Sequence, residues 1–506
     1  MSNKIFQLED LAAQLKQLRA SGKKIVHCHG VFDLLHLGHI RYLKEAKSFG
    51  DVLVVTITPD MYVRRGPARP AFSGELRAEA IAAIGVVDFV AINKWPTAID
   101  TIKILKPDFY IKGPDYKDYT KDVTGNIQSE EDAVSSVGGE IRFTSDIAFS
   151  STKLVNRYLN LYSDNQKKYV DSLKLKHSMD EIYYHFNKLK ELKVLTVGET
   201  ILDEYVFCEA IGKSGKEPIL VTQEISKEVY LGGILAIANH LSDFCDNINV
   251  VSFLGENGDG EDFVKESMGA GVKTNFLYKK NSPTIIKRRY IDNIRKSKLF
   301  GVYDINDELI DGKDEQLFYE ELDNQLPAYD LVIVADYGHG IITERIIELL
   351  AKKSRFLALN SQVNAGNIGY HTISKYPRAN CIVINETELR HEFRNRLGDI
   401  DMLIKCLADN METDAIIVTR GKNGAILYGN SGNSITCPAF DSKVVDIIGA
   451  GDALLTLSSA CMSIGMPEDL SLFIGSLSAA QSVETFGNSK PVNKVDLLKA
   501  IDSILK

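Results

Sequence analysis

From Lys24 to about residue 146, short apolar runs alternate with stretches whose apolar positions recur every three or four residues. The runs Lys24–Cys28, Val52–Thr58, Phe89–Ile92, Phe109–Lys112 and Glu140–Phe143 predict strands. Ile40–Lys47 and Ala78–Ile84 predict helices between them, and residues 5–20 predict an amphipathic helix ahead of them. Strands separated by helices imply a parallel sheet. Residues 153–190 are polar and lysine-rich, with a helical pattern near Met179–Leu192, and predict a helical linker with little core of its own. Lys193–Gly198 then opens a second α/β region that runs to the end, its last clear helix starting at Gly449. Within it, Glu217–Tyr230 and Thr284–Tyr303 alternate with the period of two that strands require. The expected division is 1–155, a linker at 156–190, and 191–506.

Composition narrows the functional classes. The 506 residues are too many for one core. A hydrophobic fraction of 44% and a charged fraction of 25% are ordinary for a globular protein. The net charge of −9 argues against a general nucleic-acid or anionic-membrane binder. Seven dispersed cysteines show no metal or redox spacing and fit reduced thiols in a cytoplasm. The first residues lack the apolar core of a signal peptide, and no apolar run is long enough to span a bilayer, so the expected location is cytoplasmic.

The chemistry begins at Gly30-Val-Phe-Asp-Leu-Leu-His-Leu-Gly-His39. It follows a strand and precedes a helix, so His36 and His39 lie one turn apart where backbone N–H groups and the helix dipole favour an anion. Two helix-capping histidines, or half of a metal site with His27 and His29, are the alternatives. HxxH without CxxC or HExxH is a weak zinc signal. The pattern GxFDxxHxGH resembles the cytidylyltransferase-like nucleotidyltransferases. Tyr62–Pro70, Glu75-Leu-Arg77, Lys112-Gly-Pro-Asp-Tyr116 and Phe149-Ser-Ser-Thr-Lys153 match the same family in order. Taken together they are most similar to the nucleotidyltransferase half of the bacterial bifunctional ADP-heptose synthases. The resemblance implies a Rossmann-like domain. His36 and His39 would stabilise phosphate and leaving group, while Gly30, Phe32, Lys44, Lys112, Ser151 and Thr152 would bind nucleotide, with Arg77 a weaker candidate. Cys28-His29 and Glu75-Leu-Arg77 depart from the family near the nucleotide, so ATP and CTP both remain open.

Asp446-Ile-Ile-Gly-Ala-Gly-Asp452 opens an apolar helix. Glycines there let the backbone wrap an oxyanion, and the adjacent carboxylate can take a proton from a hydroxyl. This resembles the pfkB, ribokinase-like carbohydrate kinases. Asn385-Glu-Thr-Glu388, Thr419-Arg-Gly-Lys-Asn-Gly424, Gly198-Glu-Thr-Ile-Leu-Asp203, Gly232-Gly233 and Asp336-Tyr-Gly-His-Gly340 fit the same family. The resemblance implies a ribokinase-like fold whose small β lid contains the two alternating segments and pairs two subunits into a homodimer. Asp452 would be the general base and Gly449, Ala450 and Gly451 the anion hole. Thr419 and Gly421 would bind ATP, and Asp203, Gly232, Gly233 and Asp336 the sugar. Asn385 and Glu388 would arrange Mg²⁺ through water. Ala236, Asn360 and Ile447 stand where the family has Asn, Asp and Thr, which bears on the choice of sugar.

Two such units on one chain imply successive steps on one metabolite. A kinase would phosphorylate a sugar, and a transferase would make an ADP-heptose-like nucleotide sugar for surface glycans. The transferase precedes the kinase here, the reverse of the usual order. The alternatives are a CTP-using transferase for a polyol or other sugar phosphate, and an active transferase carrying a non-catalytic sensor or dimerisation domain.

Overall fold

The computed structural model describes residues 4–63, 69–116, 126–145, 162–364, 366–440 and 444–505. They form two compact units, Met1–Ser163 with Leu498–Lys506, and Asp164–Leu497.

In the first unit six strands make one sheet: β1 (Ile5–Phe6), β2 (Ile25–Gly30), β3 (Val52–Ile57), β4 (Phe89–Ile92), β5 (Phe109–Lys112) and β6 (Glu140–Phe143). Their order is β1-β4-β3-β2-β5-β6, and every pairing is parallel. β3 is buried along its whole length, which is why its sequence is apolar without alternation. Ile5 and Phe6 depart from the expected helix and pair with Val90 and Ala91. The helix starts at Leu8 and buries Leu8, Leu11 and Leu15. β2 has β3 on one side and β5 on the other. The chain therefore reverses its winding beside β2, and the crevice beyond the carboxyl end of β2 is where such sheets take ligands.

The second unit holds a nine-stranded sheet and a four-stranded one. The large sheet comprises β7 (Lys193–Gly198), β10 (Asn247–Gly255), β11 (Val272–Lys279), β14 (Leu331–Asp336), β15 (Leu357–Ser361), β16 (Arg378–Asn385), β17 (Glu412–Thr419), β18 (Ala425–Gly429) and β19 (Ser434–Cys437). Its order is β11-β10-β7-β14-β15-β16-β17-β18-β19, parallel except for the last two pairings. The small sheet, β13-β12-β8-β9, is built from β8 (Thr200–Lys213), β9 (Leu220–Gly233), β12 (Ile285–Asp292) and β13 (Lys298–Asp304). β12 falls within the alternating segments, β9 and β13 overlap them and run past their ends to Gly233 and Asp304, and β8 is unanticipated. Two helices, Glu468–Ser482 and Lys494–Leu505, follow the one expected to be last.

The stretch expected as a linker also differs. Helices Asp164–Lys176 and Met179–Leu189 belong with the second unit. Tyr169 packs against Phe440 and Phe473, Phe186 packs against Phe244, and His177 and Lys176 both reach Asp469. The lysines that make the segment look solvated lie beside Val170, Leu173, Ile182 and Phe186, which are buried.

Candidate active sites

In the first unit β2 ends at Gly30 and a helix, Leu37–Lys47, starts after His36. Phe32 between them takes a φ of 49°, which a bulky residue rarely adopts, and its buried ring meets His39 edge-on at 5.5 Å. His36 caps the helix: its Nδ1 accepts the Gly38 N–H at 3.0 Å, which leaves the proton on Nε2. The His36 and His39 rings stack with centroids 4.0 Å apart. Burial lowers the His36 pKa, so this imidazole is neutral at pH 7 with its proton on Nε2. The arrangement presents paired imidazoles at a helix N-terminus, where phosphate oxygens are favoured.

The loops around this pair are fixed by two buried groups. Asp33 accepts the N–H groups of Ala71 and Phe72 at 2.7 and 3.2 Å and pairs with Arg69 at 3.0 Å. Arg77 is 1% exposed, donates to the Phe72 and Thr58 carbonyls at 3.0 and 2.9 Å and to Val31, and pairs with Asp60. Arg77 thus ties three loops together and is not free for a nucleotide.

The remaining first-unit candidates divide. The Lys112 ammonium is committed to Glu130, beside the Tyr110 and Tyr116 rings. Lys44 is exposed, eight residues beyond His36, roughly 12 Å along the helix axis. Ser151 and Thr152 lie outside the described residues. His27 and His29 both meet the Thr56 hydroxyl, at 2.7 and 2.8 Å, and His29 also meets Thr58. Burial holds His27 down to about 3. Among the described residues no group of three or more His, Cys, Asp or Glu could hold a metal directly.

The second unit contains a cavity of about 650 Å³. Asp203, Gly233, Asn385, Glu388, Thr419, Gly421, Gly449, Ala450, Gly451 and Asp452 all line it. Residues spread over 250 positions are therefore gathered at one place by the strand ends and the small sheet. Gly449 takes a φ of 88°, and a Cβ there would lie 2.0 Å from Asn488 Oδ1, so only glycine fits. It caps the helix Ala450–Ser463, whose first-turn N–H groups have no intrahelical acceptor. Asp446, at the head of this loop, accepts from Tyr205 at 2.7 Å and Lys298 at 2.6 Å, which fastens two strands of the small sheet to the glycine loop.

Asp452 accepts from the Tyr337 hydroxyl at 3.2 Å. Burial pushes its carboxyl up to about 7; Tyr337 and Lys287 oppose the rise, while Asp203 and Glu388 add to it. Gly232 does not line the cavity but fits tightly behind Asp203, since a Cβ there would lie 2.4 Å from its Oδ2. Asn385 and Glu388 form a reciprocal helix cap, each bonding the other's backbone N–H at 2.8 Å. Burial raises Glu388 to about 7.

Asp336 is the exception among the sugar-site candidates. It is 1% exposed and absent from the cavity wall. Tyr376 donates to it at 2.7 Å, and Lys375 and His371 pair with it. Burial pushes its pKa up, but these partners outweigh burial and hold it near 2. Asp336 is a structural anchor, and its neighbour Tyr337 is the residue that reaches the cavity. Of the three departures from the expected pattern, Asn360 and Ile447 line the cavity, whereas Ala236 is buried in the helix Ile234–Leu241.

Residues 191–495, more than half of the chain, match the model of the pfkB family of carbohydrate kinases. The chain belongs to that family. Residues 27–160 match the cytidylyltransferase-like model, so the protein joins a nucleotidyltransferase-like domain to its pfkB domain. Curated relatives include the bifunctional protein HldE of Geobacter metallireducens, 38% identical over 164 residues, which are 32% of each chain. That of Sulfurimonas denitrificans is 45% identical over 125 residues, 24% of this chain and 26% of the relative. That of Trichlorobacter lovleyi is 26% identical over 320 residues, 62% of this chain and 64% of the relative. The chain thus spans about a third or less of the length of the first two and under two thirds of the third. The Escherichia coli phosphofructokinase-2 in complex with potassium superposes with a TM-score of 0.50 at 13% identity. It covers 62% of this chain and all of that one, a likeness of fold alone.

Three residues that sequence reasoning passed over, Tyr337, Lys287 and Arg289, line the pfkB cavity, and a fourth, Glu199, supports it from outside the wall. Tyr337 and Glu199 sit inside stretches quoted for other residues. Glu199 accepts the Tyr337 and His339 N–H groups at 3.0 and 2.9 Å and so sets the loop behind Asp452. Lys287 and Arg289 line the cavity from β12. Two cations at i and i+2 of an alternating segment share one face of a strand, and that spacing was the available signal.

Proposed function

We propose that the protein is a bifunctional enzyme that makes a nucleotide-activated sugar of the ADP-heptose type. The pfkB domain would transfer the γ-phosphoryl of ATP to a hydroxyl of a sugar or sugar phosphate. The first domain would join a nucleotide from ATP or CTP to a sugar 1-phosphate and release pyrophosphate. The observation that carries the reading is the single cavity into which the glycine loop, Asp452, Asp203, Glu388 and Thr419 converge.

In the kinase step Asp452 takes the proton of the attacking hydroxyl, and Asp203, held by Arg289, orients the acceptor. Gly449, Ala450 and Gly451 offer backbone N–H groups to the moving phosphoryl, with Thr419 and Gly421 beside the nucleotide. The donor set fits Mg²⁺ held by water and nucleotide phosphates: Glu388 and Asn385 face the cavity, and no direct carboxylate cage exists among the described residues. When bound, Mg²⁺ would neutralise charge on the phosphates. In the transferase step His36 and His39 donate to phosphate oxygens as charge moves onto pyrophosphate. Positioning and neutralisation carry this reaction, with no covalent intermediate.

The small sheet supports a homodimer in the proposed reading. Its edge strand β13 is exposed throughout, with Phe300 at 55% and Val302 at 46% exposure. An apolar open edge calls for a covering partner. No helix among the described residues is long and apolar enough to cross a membrane. The functional reading is tested by incubating the full chain with ATP or CTP and a panel of sugars and sugar phosphates, and reading products by mass spectrometry. A nucleotide sugar formed only when both nucleotide and sugar phosphate are present supports it. Absence of any nucleotide sugar refutes it, and sedimentation as a monomer at micromolar concentration refutes the dimer.

A further inference from the structure

Lys287 is a buried cation in the wall of the pfkB cavity. It stands on β12, in register with Asp203 on β8, is 7% exposed, and lines the cavity. Nearby cations are satisfied. Arg289 pairs with Asp203, and Lys279 donates to the Asn306 and His339 carbonyls at 2.6 and 2.9 Å. Among the described residues no hydrogen bond or ion pair engages the Lys287 ammonium. It rests over the rings of Tyr337 and Tyr303, at 5.0 and 5.8 Å from their centroids.

An ammonium carries three donors and no acceptor, and burying it without an acceptor is unfavourable. A cavity that keeps such a group in its wall is built to receive an anion there. The charged groups facing Lys287 are Asp203, Glu199, Asp452 and Arg289. Burial lowers its affinity for a proton, and the three carboxylates oppose that effect. Its charge acts on both the acceptor-side carboxylate, Asp203, and the base, Asp452. The glycine-loop N–H groups line the same cavity from the large-sheet side of the sequence, and Lys287 comes from the small sheet.

We propose that Lys287 binds a phosphoryl oxyanion in the pfkB cavity. The oxyanion has two chemical sources: the phosphoryl leaving ATP, or a phosphate ester already on the acceptor. Naming either carrier rests on the kinase reading above, whereas the binding of phosphate does not.

The test compares the full-length protein with Lys287→Met and Lys287→Arg. Titration calorimetry with inorganic phosphate is taken as the difference between wild type and variant, so any phosphate held by the first domain cancels. The Met variant should lose affinity by about tenfold or more, the range for a hydrogen bond to a charged group, and the Arg variant should recover most of it. Steady-state kinetics with a sugar and its phosphate ester then separates the sources. A tenfold rise in KM confined to the ester assigns the acceptor's phosphate. A fall of about tenfold or more in kcat for both acceptors assigns the transferring phosphoryl. The proposal is overturned if phosphate affinity, KM and kcat all stay within about twofold of wild type in a variant that melts cooperatively. Lys287→Gln gives the same reading if the Met variant does not fold. Should no acceptor be turned over, the phosphate titration alone decides: a lost signal upholds Lys287 while the kinase reading falls.

Discussion

Asp452→Asn should remove kinase activity and at the same time make the protein more stable above neutral pH. The carboxyl is lifted from an ordinary 3.8 to about 7, first by burial. A folded-state pKa above the unfolded one means that the folded protein binds the proton more tightly. The group therefore favours folding fully below pH about 4, and that contribution is lost as the pH rises through about 7. The shift corresponds to at most about 4 kcal/mol, and to roughly 2–4 kcal/mol once partial solvent access is allowed for. Asn buries at no such cost, so its stability gain should be near zero at pH 4 and largest at pH 8. The kinase reaction needs the ionised base, so the wild-type rate should fall about tenfold per pH unit below 7. Loss of the base should cost a factor of about 10²–10⁴. Glu388 and Glu199 are also raised to about 7, so the acid limb belongs to the group, and the Asn variant isolates Asp452. The assays are ADP release against pH and thermal melting at pH 4, 6 and 8. An Asn variant that keeps wild-type turnover, or one no more stable than wild type at pH 8, refutes the reasoning.

His36→Ala or His39→Ala should reduce pyrophosphate release by about 10²–10³-fold and leave sugar-dependent ADP release unchanged, as followed by coupled assays of each product. Arg77→Met should destabilise the first unit by about 3 kcal/mol or more in denaturant unfolding, because the Val31, Thr58 and Phe72 carbonyls and Asp60 lose a buried partner together. A second-unit fragment beginning at Asp164 should melt higher than one beginning at Met179, by an equivalent of roughly 4 kcal/mol, because the shorter one loses buried Val170 and Leu173 and the Tyr169 cluster. Equal melting temperatures would return helix Asp164–Lys176 to the status of a linker.

Much of the sheet architecture was legible because central parallel strands are buried on both faces and read as uninterrupted apolar runs. Phe89–Ile92, Phe109–Lys112 and Lys193–Gly198 have the expected ends, and so does the edge strand Glu140–Phe143, none of whose residues is buried. The failures share a cause, which is that pairing with distant residues overrides local pattern. Ile5 and Phe6 fit the apolar spacing of the helix that follows, yet they pair with Val90 and Ala91. β8 begins as a continuation of the strand before it and is defined by its partners in β9 and, 84 residues away, in β12. The supposed linker looked polar because Tyr169, Val170, Leu173 and Phe186 are few among lysines and acids, and what they pack against lies far along the chain.

The candidate sites show the same division. Glycines and the residues between them were readable, because positive φ and close approach demand a particular residue, as at Gly449. Asp336 was misplaced because a matching letter says nothing of where its side chain finds charge. Its partners Lys375, His371 and Tyr376 come 35 to 40 residues later and draw it away from the cavity, leaving Tyr337 to face Asp452. The electrostatics of the two sites were equally hidden. The first unit presents His36 as a neutral donor whose proton is placed by the Gly38 N–H. The second gathers Asp452 and Glu388, each raised to about 7, around cations from the small sheet. A neutral donor stabilises developing charge with little dependence on pH, whereas a raised carboxyl works only once ionised. In the proposed reading the two reactions would thereby differ in their sensitivity to acid, a consequence of burial and hydrogen-bond direction that no residue spacing records.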